Sequence, residues 1–281
     1  MDKYIDTHVH FWKYDSQNPD FDWINDRMHV IKKSYLPDDF QKHALSTDIY
    51  GNHIINDCIA VQAAESWHET LFLLDLAATY DFVKGVVGWI DIKDVNKLGT
   101  LTSHKKLKGF RHIIQAKNYG YMSSDEFRYF ISKLSTYSYT YDLLLHPHQL
   151  HEALELVLQF PSQKFVIDHL AKPDIRSGDV QDWKNHISEF KHCPHVYAKL
   201  SGLVTEAYWH SWKDTDFDIV LDTALSVFGT DRLMYGSDWP VCLLAAEYAQ
   251  VVHIIKKYIS KMSDDEQYKI MYGNAINFYH V

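Results

Sequence analysis

Residues 4–10 read Tyr4-Ile5-Asp6-Thr7-His8-Val9-His10. The run Tyr4–Thr7 predicts a first β-strand, and Thr7-His8-Val9-His10 stands where a doubly wound open sheet usually carries a glycine-rich phosphate-binding turn. Alternate residues of an extended chain share a face, so His8 and His10 are predicted to point the same way. Two imidazoles in that arrangement suit one cation or one substrate oxygen. The stretch argues against the open sheet and indicates a site at the end of the first strand.

Short apolar runs recur along the whole chain and alternate with segments of helical period, which is typical of repeated βα units. The predicted strands are Tyr4–Thr7, Ile54–Gln62, Gly85–Ile90, Leu107–Arg111, Tyr141–Leu145, Phe165–Ile167, Val196–Leu200 and Leu233–Tyr235. Apolar residues three and four apart predict helices at Ser66–Tyr80, Asp125–Thr136, Gln149–Gln159 and Asp216–Phe228. The alternation predicts an α/β fold, a single (β/α)8 TIM barrel over residues 1–281, with an open doubly wound sheet as the rival architecture.

Two irregular aromatic segments follow predicted strands 1 and 7, namely Trp12–Phe40 and Ser201–Asp218. In a barrel both lie at the carboxyl ends of the strands, where active sites are built, so both are predicted to be binding loops. The tail Ser263–Val281 predicts a closing helix, because Ser263 and Glu266 have the spacing of a capping box.

Composition narrows the possible partners. The 281 residues include 28 basic and 37 acidic side chains, a net charge of −9 at pH 7, and no block of lysine or arginine, so nucleic acid is not an expected partner. Cys58, Cys193 and Cys242 fit neither a disulfide framework nor a metal knuckle, which favours a cytoplasmic location. No basic leader precedes an apolar segment and no run approaches the roughly 18 apolar residues of a membrane span, so we expect no membrane association. Nothing in the sequence assigns an oligomeric state.

A carboxylate follows the last predicted strand in Gly236-Ser237-Asp238-Trp239-Pro240. In a closed barrel strand 8 lies beside strand 1, so Asp238 is expected to face the two histidines. Asp238 is therefore the predicted proton acceptor for an attacking water, a metal ligand, or both in succession. The alternative is an aspartate that only caps the turn before Trp239 and Pro240.

Other chemistry-bearing residues lie at predicted strand ends. His169 follows strand 6 and is predicted to reach the same rim, as is His146 after strand 5, for which a packed or capping role is equally open. Lys199 lies inside strand 7, where an unpaired charge is strongly disfavoured, so it must meet a partner or substrate. Arg111 closes strand 4, with a structural salt bridge as its alternative role. The neighbouring His112 is predicted either to contact substrate or to point outward into the helix layer.

With these motifs in place, the chain resembles the amidohydrolase superfamily and, within it, the branch of L-fuconolactonase, L-rhamnonolactonase and 2-pyrone-4,6-dicarboxylate lactonase. The resemblance runs nearly from end to end. It is carried by Ile5-Asp6-Thr7-His8-Val9-His10-Phe11-Trp12, Val61-Gln62-Ala63, Gly85-Val86-Val87-Gly88-Trp89-Ile90-Asp91, Lys108-Gly109-Phe110-Arg111-His112, Ile167-Asp168-His169-Leu170-Ala171-Lys172-Pro173, Lys199-Leu200-Ser201-Gly202-Leu203 and Gly236-Ser237-Asp238-Trp239-Pro240.

The resemblance implies a barrel hydrolase in which His8, His10, His169 and Asp238 surround the scissile carbonyl and are the candidate metal ligands. The wider superfamily often adds a strand-5 histidine and a carboxylated lysine that bridges two metals. His146 could fill the first place, but no lysine matches after strand 4, so a binuclear centre is not expected. Because members of this branch resemble either mononuclear metal enzymes or metal-free ones, the resemblance leaves two cases open: one divalent ion, zinc or manganese, or none.

The predicted chemistry is hydrolysis of a small-molecule sugar lactone such as L-fucono- or L-rhamnonolactone. Asp238 takes a proton from water, the water attacks the carbonyl, and Arg111, Lys199, His169 or a metal on the strand-1 histidines stabilises the oxyanion. Tryptophans in the loops offer flat apolar faces to a sugar ring: Trp12, Trp23, Trp209 and Trp239.

Three alternatives remain open at this stage. They are a metal-dependent decarboxylase, a silent sugar-acid binder, and a hydrolase of a pyrone dicarboxylate. The last would need several arginines around two carboxylates, whereas Arg111 is the only arginine at a predicted strand end.

Overall fold

Eight parallel β-strands lie side by side in chain order in the computed structural model, which describes residues 4–44 and 55–281. Every neighbouring pair from β1 to β8 is parallel. The strands are β1 Ile5–Val9, β2 Asp57–Val61, β3 Val83–Gly88, β4 Leu107–His112, β5 Thr140–Leu143, β6 Phe165–Ile167, β7 Val196–Leu200 and β8 Leu233–Tyr235.

Helices follow the strands and cover the outside of the sheet. They are α1 Pro37–Ala44, α2 Trp67–Thr79, α3 Leu98–Leu101, α4 Asp125–Leu134, α5 Leu150–Gln159, α6 Gln181–Ser188, α7 Asp218–Phe228, α8 Tyr248–Ile259, α9 Asp264–Tyr268 and α10 Asn274–Tyr279. Helix α4 shows why they pack: Phe127, Phe130, Ile131 and Leu134, three and four apart, are its buried residues.

Strands β1 and β8 meet at a seam that is held by a few specific hydrogen bonds. The backbone N–H of Asp238 donates to the carbonyl of His8 at 2.9 Å, and the N–H of His10 donates to the carbonyl of Trp239 at 2.7 Å. The buried Asp6 carboxylate accepts from the Ser237 N–H at 2.8 Å. These contacts bring the two ends of the sheet together, and the (β/α)8 barrel predicted from the sequence is confirmed.

The barrel interior contains apolar residues from several strands, including Ile5, Ile59, Val87, Val166 and Met234, which pack against α10. Lys164, immediately before β6, donates to the carbonyl of Asn277 in α10 at 2.9 Å. Helix α10 therefore covers the end of the barrel where the strands begin, and the opposite end carries the polar side chains described below.

The predicted bounds of β6, β7 and β8 coincide with the structure, and β1 extends further than predicted, so that His8 lies inside it. The predicted start of strand 2 at Ile54 lies outside the described residues. The segment Trp12–Phe40 is not irregular throughout: α1 begins at Pro37, because proline suits the first turn of a helix and Asp38 and Asp39 favour its N-terminus.

The closing segment begins as predicted, with Ser263 and Glu266 forming a capping box at the start of α9. The part of the chain that the structure describes contains no helix long and apolar enough to cross a membrane. Cys58, Cys193 and Cys242 are all buried and unpaired.

Candidate active site

His8 and His10 both reach the carboxyl end of the barrel from β1. His10 is oriented by its Nδ1, which lies 2.8 Å from the carbonyl oxygen of Val61. A carbonyl can only accept, so Nδ1 donates to Val61 and Nε2 faces the other side chains of the site. His8 is fully buried, and burial lowers its pKa well below the ordinary value, so the imidazole is neutral at pH 7.

Asp238 is the point on which three imidazoles converge. Its Oδ1 lies 3.3 Å from Nε2 of His10, 3.8 Å from Nε2 of His8 and 3.9 Å from Nε2 of His169. Burial alone would raise the pKa of Asp238, but His169 and the hydrogen bond from His10 lower it below the usual range. The carboxylate is therefore ionised at neutral pH and available as a base or ligand.

His169 stands on an unusual backbone segment after β6. The four consecutive residues from His169 to Lys172, none of which is glycine, have left-handed φ angles of 54°, 51°, 58° and 55°. Each costs about 1–2 kcal/mol in this conformation, so surrounding contacts must hold the turn. One of them is the Trp183 indole, which donates to the carbonyl of Leu170 at 2.6 Å.

The His169 ring is fixed from its other side by the loop after β7. Its Nδ1 lies 2.9 Å from Oγ of Ser201. Gly202, with a φ of +64°, allows this approach, because a Cβ there would lie 2.6 Å from the same ring nitrogen. Burial lowers the pKa of His169 to about 4, so this imidazole is also neutral at pH 7.

A buried ion network lies beneath these residues. The Lys199 ammonium is 2.6 Å from Asp142 and 3.0 Å from Asp168, and Arg111 is 3.0 Å from Asp168. Both cations also contact His8, Arg111 at Nε2 (3.1 Å) and Lys199 at Nδ1 (3.2 Å). Burial alone would raise the pKa of Asp168, but Lys199 and His8 lower it far below its usual value. The network therefore fixes His8 by its two ring nitrogens.

Sequence reasoning missed Asp142 and Asp168. The sequence nevertheless contains a sign of both residues. Each is an acid inside an apolar strand or directly after one, in Tyr141-Asp142-Leu143 and Ile167-Asp168, and its charge is opposite to that of Lys199, which was predicted to lie inside a strand. A buried lysine requires a buried carboxylate, so the partners could have been sought among these strand residues.

The donor atoms can hold one divalent ion. Ring nitrogens of His8 and His10 and a carboxylate oxygen of Asp238 lie within 4.8 Å of one another, and His8, Asp168 and His169 form a second such group. Imidazole and carboxylate suit zinc, and the Val61 carbonyl that orients His10 is the kind of outer partner that zinc-binding histidines have. A metal ion would compete with the Arg111 guanidinium for Nε2 of His8.

A cavity of about 330 Å³ opens over this cluster at the carboxyl ends of the strands. Its polar lining residues are His10, Arg111, Gln115, His169, Lys172 and Asp238, and its other lining residues are Trp23, Ala63, Ile113, Ala116, Leu144 and Val241. The volume is that of a small-ligand site with a few convergent polar groups. Of the predicted catalytic residues, His169, Asp238 and Arg111 line it, and the buried Lys199 does not.

Of the four tryptophans predicted to face a sugar ring, Trp12, Trp209 and Trp239 are not among the residues that line this cavity. Trp239 is buried against Phe11, Tyr35 and Phe40, because it follows the β1–β8 seam into the core. Trp12 is buried and donates to the carbonyl of Lys33, and Trp209 donates to the carbonyl of Thr205. Trp23 instead lines the cavity, with 37% of its surface exposed.

The predicted substrate contacts His112 and His146 are also absent from the cavity lining. His112 points into the helix layer, its ring packing against Phe127 and Phe130 and its nitrogens 3.0 Å from the Tyr141 hydroxyl and 2.9 Å from the Ile90 carbonyl. This is the outward alternative considered from the sequence. His146 stacks on His148 at a centroid distance of 5.9 Å.

Comparisons with known proteins give the family of the chain. The family model described as amidohydrolase matches residues 5–281. An L-fucono-1,5-lactonase from Burkholderia multivorans is 35% identical over 98% of this chain and 95% of its own length. An L-fucono-1,5-lactonase from Burkholderia ambifaria is 29% identical over 99% of this chain and 95% of its own length.

A crystal structure of an amidohydrolase from Burkholderia multivorans with bound zinc superposes with a TM-score of 0.90 at 34% identity, over 99% of both chains. The family model and the full-length relative both extend over nearly the whole barrel. The chain described here belongs to the amidohydrolase family.

Proposed function

We propose that the protein hydrolyses the lactone of a sugar acid, an aldonolactone such as L-fuconolactone. The observation that carries the proposal is the convergence of three imidazoles on the ionised Asp238 at the floor of a cavity of about 330 Å³. The names of the two full-length relatives support the lactone as substrate. Both the acid–base chemistry and the size of the cavity suit a six-membered sugar lactone.

In this proposal Asp238 accepts a proton from a water molecule as the water oxygen bonds to the lactone carbonyl carbon. The tetrahedral intermediate carries its negative charge on the former carbonyl oxygen, and Arg111, a cation in the cavity lining next to His8, stabilises it. The ring carbon–oxygen bond then breaks, and the leaving alkoxide takes the proton from Asp238. The product is an open-chain hydroxy acid, ionised at neutral pH.

The remaining polar residues hold these groups in place. His10 donates its Nδ1 proton to Val61 and turns Nε2 towards Asp238, and His169 lies against Ser201. Lys199 is fully buried beneath the cavity, so we assign it the positioning of His8 and Asp168 in place of contact with the oxyanion.

One divalent ion, zinc or manganese, forms part of the proposal. His8, His10 and Asp238 would hold it, with His169 as a further ligand. The zinc in the related Burkholderia multivorans structure supports the choice of metal. When bound, such an ion supplies Lewis acidity at the carbonyl.

The other functions considered from the sequence are not favoured. Two full-length relatives are named as sugar lactonases, which supports hydrolysis over decarboxylation. Arg111 is the one arginine among the described residues that line the cavity, which argues against a substrate with two carboxylates.

A small-molecule substrate and three buried unpaired cysteines also support the expected cytoplasmic location.

The test is a pH-indicator assay of freshly prepared aldonolactones, run with and without a chelator and with Asp238→Asn. Acid release from one sugar series that is lost in the variant supports the proposal, and sensitivity to the chelator assigns a role to the metal. No acid release from any lactone, with the protein folded, would refute it.

A further inference from the structure

Two polar side chains that line the cavity, those of Gln115 and Lys172, take no part in the proposed hydrolysis. The Gln115 amide makes no hydrogen bond to the residues that the structure describes, and its Oε1 is buried without a partner. The Lys172 ammonium, at the end of the left-handed turn, has no ion pair or hydrogen bond within residues 4–44 and 55–281. The other polar lining residues, His10, Arg111, His169 and Asp238, all contact one another or the backbone.

Gln115 and Lys172 lie on the same side of the barrel mouth. Gln115 follows β4, and its backbone N–H donates to the carbonyl of Leu144 after β5 at 2.9 Å. Lys172 follows β6 and lies close enough to His146, also after β5, to lower the pKa of that imidazole along with burial. Both residues therefore flank the loop after β5.

Asp238 and His10 lie on the opposite side, after β8 and at the end of β1. In a barrel of eight strands in chain order, β8 and β1 are diametrically across from β4 and β5. A ligand whose carbonyl is beside Asp238 therefore extends its far side towards Gln115 and Lys172. The apolar residues Ile113, after β4, and Leu144, after β5, belong to the wall on their side of the cavity.

We propose that Gln115 and Lys172 form the specificity subsite that recognises hydroxyl groups on the part of the sugar ring remote from the scissile carbonyl. The inference deepens the proposed function and rests on it. An amide both donates and accepts, and an ammonium only donates, so the pair matches hydroxyls of a neutral polyol, whose oxygens accept from Lys172 and whose O–H groups donate to Gln115. A bare ring would leave both groups desolvated and unpaired, which a hydrogen-bonding site penalises.

The experiment compares a hydroxylated substrate with an unsubstituted ring of the same size. Gln115→Leu and Lys172→Met are assayed on L-fucono-1,5-lactone and on δ-valerolactone, with Gln159→Leu and Lys184→Met on exposed helix positions as matched controls. We expect kcat/KM on the sugar lactone to fall about 3- to 10-fold for Gln115→Leu and about 10- to 100-fold for Lys172→Met, with no fall in kcat/KM on δ-valerolactone. Equal losses on both lactones, or no loss on either, would overturn the assignment.

A binding measurement keeps the subsite separate from the reaction. Calorimetry with 1,5-anhydro-L-fucitol, which has the ring hydroxyls but no carbonyl, tests the subsite even where no lactone is hydrolysed. We expect binding to wild type, weaker binding to both variants, and none of tetrahydropyran. If Lys172→Met weakens only a carboxylated ring, tetrahydropyran-4-carboxylate, and leaves the polyol unchanged, the role given to Lys172 is wrong.

Discussion

Oδ1 of Asp238 lies 3.3 Å from Nε2 of His10, the shortest of its three imidazole contacts. Replacement of Asp238 by asparagine keeps the shape of the side chain but removes the proposed base, so we expect kcat to fall about 10²- to 10⁴-fold. The pH-indicator assay measures this loss, and Asp182→Asn, on the exposed face of α6, is the matched control. Retention of more than a tenth of the activity in Asp238→Asn would assign the base to another residue.

The approach of Gly202 to His169 gives a second prediction. In Gly202→Ala the new Cβ meets Nδ1 of His169 at 2.6 Å and the backbone has a φ of +64°, so we expect at least a tenfold loss of kcat and a destabilisation of about 1–3 kcal/mol. Gly178→Ala is the control, because its φ is +72° but no atom lies within 4 Å of the added Cβ. It should lose stability alone, and equal activity losses in the two variants would contradict the steric explanation.

The buried network predicts a large effect on stability from Lys199. Lys199→Met leaves Asp142 and Asp168 without their ammonium partner, and we expect the free energy of unfolding to fall by about 3–5 kcal/mol. Urea denaturation measures this change. Lys42→Met, which removes an exposed pair with Asp39, should change it by less than about 1 kcal/mol. A small effect in Lys199→Met would mean that the two carboxyls share a proton in the folded protein.

Metal binding is predicted at the strand-1 histidines. Equilibrium dialysis against zinc should give one bound ion per chain for wild type and a large loss for His10→Ala, because one of the clustered donors is removed. His151→Ala, at an exposed position in α5, should bind as wild type does. Unchanged zinc content in His10→Ala would place the ion elsewhere.

Glu69 predicts a pH dependence of stability. Burial raises its pKa to about 7, although the N–H groups of Ala63 and Ala64 donate to it. Its pKa in the unfolded chain is about 4.3, so the folded state binds the proton more tightly. The contribution of Glu69 to the free energy of unfolding is therefore fully present below about pH 4 and is lost as the pH rises through about 7. The loss is up to about 1.4 kcal/mol per pH unit.

Urea titrations between pH 4.5 and 7.5 test this dependence. Glu69→Gln should remove that part of the decline, while Glu126→Gln, exposed on α4, should leave it intact. A decline of the same size in Glu69→Gln would assign it to other groups.

Much of the barrel could be predicted because the strands are apolar runs that end at polar residues. Strand β6 stops where Ile167 gives way to Asp168, and the predicted and observed bounds agree. His8 and His10 could be predicted to lie together because they are two positions apart in an extended chain. These features depend on local sequence and on the period of an extended chain.

The contacts beyond the strand ends could not be predicted in this way. The left-handed turn from His169 to Lys172 contains no glycine, so its sequence gives no sign of positive φ angles. Trp239 directly follows Asp238, the proposed base, yet packs in the core, because its direction is set by the seam with β1. Gln115 lies on a short 3₁₀ turn that has no characteristic sequence. Its place in the cavity lining is visible only in the structure.

The seam between β1 and β8 links catalysis to the completion of folding. Asp6 and Ser237, 231 positions apart, are joined across it, and the same closure brings the first-strand histidines to Asp238. A nascent chain that has not yet produced its eighth strand thus lacks the assembled cluster of histidines and Asp238, whatever structure its earlier repeats have reached. Recovery of turnover during refolding would report the arrival of the last strand, while helical signals would report the earlier repeats.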